Sequence, residues 1–130
     1  MGKGNMLILP HSKATVTFEY GVLWIKFHNG IEIDVSDMKA IYEFALRSSN
    51  NKAFAVLFDA DGTHDLQEEV VTYVAQNPDN FPIKAKAYIV EGAQIHKLKL
   101  HVAFDHPKIK PTIFSSKTEA MIWLAKELEG

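Results

Sequence analysis

The chain has 130 residues, about the size of one domain, and 47% of them are hydrophobic, enough to build a packed core. It contains no cysteine, which excludes a disulfide scaffold, thiolate zinc sites and cysteine nucleophiles. A formal net charge of −2 offers no basic field to a phosphate backbone, so nucleic acid is not an expected partner.

The apolar run Met6–Pro10 is far shorter than the ~20 residues that cross a bilayer and shorter than a signal-peptide core. The expectation is a cytoplasmic, not membrane-spanning, single domain over residues 1–130, with 1–12 a loosely held N-terminal segment. Val16, Phe18 and Tyr20 alternate with Thr15, Thr17 and Glu19, the period of a half-buried strand. Gly21 permits a tight reversal, and residues 22–27 read as the hairpin partner. Asn29-Gly30 is a further turn signal, after which Ile31, Ile33 and Val35 alternate as a third short strand would.

The period then becomes helical. Ser36 is a candidate cap for a helix carrying Met38, Ile41, Tyr42 and Ala45, which ends at the Ser48–Asn51 loop. Residues 53–58 (AFAVLF) form a continuous apolar run, the signature of a parallel strand covered on both faces. Asp65 and Glu68 suit a capping box for a helix with Leu66, Val70, Tyr73, Val74 and Asn77 on one face, stopped by Pro78. Residues 85–90 (AKAYIV) read as another buried strand, and 111–114 as a short last one. Ser116 and Glu119 suit a second capping box, before a stripe of Ala120, Met121, Leu124, Ala125 and Leu128. Residues 94–105 fit either period. A crossover between parallel strands favours helix there. Leu100 and Phe104 then lie opposite Ile95, Leu98 and Val102, a second apolar patch suited to a partner, a self-contact or the wall of a lipophilic pocket, or else tucked under the loop that follows.

This order of elements, with AFAVLFDADGTHDLQEEV at its centre and PTIFSSKTEAMIWLAKELEG at its end, resembles the STAS family of anti-sigma-factor-antagonist-like (SpoIIAA-like) domains, in particular the short stand-alone bacterial ones. The likeness spans roughly residues 14–129 and rests on element order and short motifs. It implies an α/β fold: a mixed sheet of about five strands, an N-terminal antiparallel hairpin followed by parallel βα units, and about four helices. It also implies a non-enzymatic, regulatory protein–protein interaction module. In that family an aspartate ends the central strand, as Asp59 would here. A serine at the start of the next helix takes the phosphate that switches partner binding. Here the helix opens Asp65-Leu66-Gln67-Glu68-Glu69 without a serine, and the nearest hydroxyl is Thr63, a weak candidate for phosphorylation.

The binding residues expected from this reading are Asp59, Asp61, Thr63 and Leu66 in the loop after the central strand, with Leu100 and Phe104 on the second apolar patch. That loop marks where a parallel strand meets a helix N-terminus, the usual ligand position in α/β folds. The bland alternative is a solvated loop in which Gly62 turns the chain. Asp59, Asp61 and Asp65 lack the further ligands of a calcium loop. The six histidines, His11, His28, His64, His96, His101 and His106, fall in no zinc-binding pattern. No nucleophile–base spacing and no Gly-rich phosphate cradle is present. No catalytic residue, metal or cofactor is therefore expected. The partners expected are a protein or a second copy in a homodimer. The alternative is a carrier of a small lipophilic ligand held between the sheet and residues 94–105. Trp123, outside the stripe of the last helix, is expected to cover the N-terminal MLIL segment as buried edge packing, the alternative being a contact with a partner.

Overall fold

A computed structural model describes residues 5–8, 14–28, 33–59, 68–76, 81–89 and 112–129. Six strands form one mixed sheet in chain order: β1 (Asn5–Ile8), β2 (Ala14–Glu19), β3 (Val22–Phe27), β4 (Phe54–Asp59), β5 (Ile83–Ile89) and β6 (Thr112–Phe114). The first three pair antiparallel, whereas β3 through β6 run parallel. Three helices are described: α1 (Val35–Ser48), α2 (Glu68–Gln76) and α3 (Lys117–Glu129). The α/β class and the change from antiparallel hairpin to parallel units follow the expectation. Among the described residues the strands number six rather than about five, because residues 5–8 pair along β2 and become the sheet's outer strand. The helix expected at 94–105 lies outside the described residues.

The hairpin between β2 and β3 turns on two residues. Tyr20 and Gly21 have φ of 54° and 79°, the pair of positive angles that matches the twist of adjoining strands. Ile33 and Val35 do not belong to a third meander strand, and Ile31 lies outside the described residues. Val35 is already the first residue of α1, and Ile33 is buried just ahead of it. Asp34, not Ser36, caps that helix. Its side chain accepts from the Asp37 backbone N–H at 2.9 Å, and the Asp37 carboxylate accepts from the Asp34 N–H at 3.0 Å. Ser36 supports the cap by donating to the Asp34 carboxylate at 2.8 Å.

Each sheet face has its own core. On one, Val16, Phe18, Leu23, Ile25, Phe54 and Val56 pack against Met38, Ile41, Tyr42, Phe44 and Ala45 of α1 and Val70 and Val74 of α2. Phe18 meets Phe54 edge-on, with ring centroids 6.2 Å apart. On the other face, Val22, Ala55, Leu57, Ala85, Ala87 and Ile89 receive Ala120 and Leu124 of α3. The alanines at the centre of that face let a helix backbone come close. Ala125, assigned to the buried stripe from its spacing, is exposed. Trp123 does not cover the N-terminal strand: it packs on Phe114 of β6, with centroids 5.7 Å apart, at the opposite edge of the sheet.

One irregularity sets the orientation of β5. Phe54 pairs with Ile83 but Ala55 pairs with Ala85, which leaves Lys84 as an extra residue. Such a bulge reverses the alternation of side chains beyond it. Ile83 therefore lies in the α1/α2 core, Ala85 and Ala87 face α3, and Lys86 is turned in toward α2.

Candidate functional site

The parallel strands β3, β4 and β5 end together, in the position where open α/β sheets receive ligands and partners. The register puts Lys26 beside Asp59 and Asp59 beside Ile89. Asp59 follows Leu57 on the face that packs against α3, and it is half-buried. Helix α3 runs against the direction of these strands. Leu128 near its C-terminus meets Gly21 and accepts a hydrogen bond from Lys84 at 3.3 Å, both at the strands' starts. Its N-terminus therefore points toward the strand ends. There Ser116 accepts from the Glu119 N–H at 3.3 Å, and the Lys117 ammonium sits 4.0 Å from the centroid of the Trp24 ring. The Trp24 indole N–H is buried without a partner.

The opposite face of the same strand ends carries a row of aromatic rings. Phe27 stacks on Phe58 with centroids 6.4 Å apart, and Phe58 stacks on Tyr88 at 5.2 Å. Deeper in, Tyr42 of α1 lies against Tyr73 of α2 at 6.1 Å and against Phe81 at 5.3 Å. The Tyr42 ring is fully buried, and its hydroxyl has no hydrogen-bond partner. Burial pushes that hydroxyl well above the usual phenol range, with repulsion from Tyr88 and then Tyr73 adding to it. Tyr73 is raised by burial and by the Glu43 carboxylate. Lys86, 1% exposed, donates to the Val74 carbonyl at 2.5 Å. That carbonyl belongs to the last turn of α2, where the helix has no partner of its own for it and where its dipole favours a cation. Burial lowers the Lys86 ammonium from the usual 10.5 to about 8.

Of the residues expected to form a binding site, Asp59 lies at the end of β4 as anticipated. Asp61, Thr63, Leu66, Leu100 and Phe104 lie outside the described residues. His28 is the one histidine among the described residues, and its Nε2 is 2.9 Å from the Thr15 hydroxyl. Among the described residues, no group of three or more His, Asp or Glu side chains could hold a metal ion. Among them, too, no helix is long and apolar enough to cross a membrane. Lys86 and Tyr42 are not among the residues expected at a site from the sequence. The signal for Lys86 was present, a lysine inside the otherwise apolar AKAYIV run. Tyr42 carried none, because its position fits the apolar stripe of α1.

Residues 16–128 match the family described as "Domain of unknown function (DUF7793)", which covers most of the chain, and the chain belongs to that family. No curated protein and no solved structure matches the sequence.

Proposed function

We propose that this member of the DUF7793 family is a STAS-like regulatory module that works by binding another protein and not by catalysis. The observation that carries the reading is the arrangement at the ends of the parallel strands. There Asp59 closes the central strand between Lys26 and Ile89, with the N-terminus of α3 directed to the same end. A carboxylate, two lysines and an aromatic ring around a rigid sheet edge are docking chemistry, suited to orienting a partner. The hairpin-then-parallel order of strands is in keeping with the resemblance to anti-sigma-factor antagonists. Met6 and Ile8, 66% and 81% exposed on the outer strand, add apolar surface that a partner or a second copy could cover.

A second reading has its own support. The row Phe27–Phe58–Tyr88, which ends in a half-buried tyrosine, is the kind of wall that a carrier of a small lipophilic ligand needs. Native mass spectrometry of the protein purified gently from its own cells separates the two. A stoichiometric protein complex or homodimer supports the interaction module. A lipophilic adduct on the monomer supports the carrier and overturns the leading reading. Phosphate on Thr63 would add the switch that the missing serine otherwise removes.

A further inference from the structure

An uncovered edge strand is a template for further pairing, and proteins blunt such edges with charge, proline, bulges, short strands or a covering element. At one edge of this sheet the device is visible. Strand β6 has three half-buried residues, and Trp123 of α3 covers its Phe114. The other edge, β1, reads NMLI, with no charge, no proline and no irregularity in its register with β2. Among the described residues no strand lies beyond it.

The direction of its main-chain groups follows from the rest of the ladder. The Ala55 N–H donates to the Gly21 carbonyl, so Gly21, Leu23 and Ile25 face β4, while Val22, Trp24 and Lys26 face β2. Their partners Glu19, Thr17 and Thr15 bond to β3, which turns Val16 and Phe18 toward β1. Those two pair with Leu7 and Asn5. The N–H and C=O groups of Met6 and Ile8 therefore point out of the sheet edge. The same two residues carry the exposed side chains, on the face opposite Leu7, which packs against the α1/α2 core.

We propose that β1 is a dimer interface, in which two copies of this chain pair β1 with β1 antiparallel about Leu7 and form one continuous sheet. Met6 of each copy then faces Ile8 of the partner subunit, and each such pair exchanges two N–H···O bonds. Of the two-fold registers, the one centred on Leu7 uses the outward groups of both residues in both copies. The occupant is a second copy because the strand is matched to itself. It has no charge with which to select an oppositely charged partner, and its apolar side chains meet their own kind across the axis. Four residues a side, against the roughly 20–30 of a standard interface, make this a weak, concentration-dependent dimer. The inference names the occupant of the apolar surface on the outer strand and does not depend on docking at Asp59.

The test is sedimentation velocity and amide hydrogen exchange on the full chain from micromolar to millimolar concentration. The expected result is a monomer that passes to a dimer, with the Met6 and Ile8 amides gaining protection as it does. The Asn5 and Leu7 amides, already bonded to β2, keep theirs throughout. Ile8→Pro removes an outward N–H at a position where an edge strand tolerates proline. It weakens the dimer at least about tenfold, the worth of one bond lost on each copy, and leaves the thermal midpoint at micromolar concentration unchanged. Met6→Glu and Ile8→Lys each weaken self-association, and mixing the two restores a dimer, because the new charges face each other in the proposed register. Asp59→Lys leaves the dimer intact, so failure of docking at the strand ends is read separately. A chain that stays monomeric at millimolar concentration overturns the proposal. So does a dimer in which the Met6 and Ile8 amides exchange as fast as in the monomer; that exchange in the unaltered chain decides the matter if Ile8→Pro fails to fold.

Discussion

Lys86 makes the stability of this protein depend on pH in an unusual direction. The folded chain releases the Lys86 proton near 8 and the unfolded chain near 10.5, so between these values the unfolded state binds more protons. Stability therefore rises as pH climbs through that window, because deprotonation removes a charge that burial disfavours. At 1.36 kcal/mol per unit, the separation between about 8 and 10.5 corresponds to about 3 kcal/mol, of which about 2 kcal/mol is recovered between pH 7 and pH 10. The neutral amine still donates to the Val74 carbonyl, so the bond to α2 persists. Tyr42 opposes the trend only higher up. Its raised pKa stabilises the fold below the unfolded value of 10.0, and that contribution is lost above it. Changes in overall charge affect every variant alike, so the informative quantity is the difference from Lys86→Met, which keeps the volume and removes the charge. Urea unfolding at pH 7 and pH 10 measures it. The unaltered protein should gain about 2 kcal/mol relative to Lys86→Met over that interval. Parallel stability profiles for the two proteins would refute the reasoning and mean that water reaches the ammonium in the folded state.

Three further outcomes follow from particular contacts. Tyr42→Phe removes an enclosed hydroxyl that has no partner while keeping the ring stacking, and it should leave stability unchanged or raise it by about 1 kcal/mol in thermal unfolding. Gly21→Ala should cost about 1–2 kcal/mol, since φ is +79° and the new Cβ would lie 3.0 Å from Leu128 Cδ1; in a Leu128→Ala background only the backbone part of that cost remains. Asp34→Ala should destabilise by about 1 kcal/mol through loss of the capping box, and Ser36→Ala by clearly less, as chemical denaturation of both variants will show.

The strands were legible where hydrophobic period and length agreed. The alternation in residues 14–20 and the unbroken run AFAVLF appear as β2 and β4. The start of α1 was misread because both Asp34 and Ser36 are capping residues, and because Ile31, Ile33 and Val35 alternate as a strand does. What decides is the reciprocal bond between Asp34 and Asp37, a pairing three residues apart that single-residue preferences do not weigh. The outer strand went unassigned because four residues gain strand geometry only from the partner they lie against. The bulge before Lys86 is a matter of pairing between distant segments, so no local pattern marks it. In the same way Asp59 could be placed from the end of an apolar run, whereas the enclosure of Lys86 and Tyr42 depends on how α1 and α2 settle on β5.

Whether the ends of the parallel strands dock a protein partner, as proposed, is decided by the affinity of that partner for Asp59→Lys beside the unaltered chain. Asp59 is half-buried at the end of β4, and its replacement reverses the charge of the proposed docking edge without replacing a residue of either core. The expected result is at least about a tenfold loss of affinity, the scale of a desolvated charge contact, with the thermal midpoint unchanged. Equal affinity for the two proteins would contradict it and move the contact away from this edge.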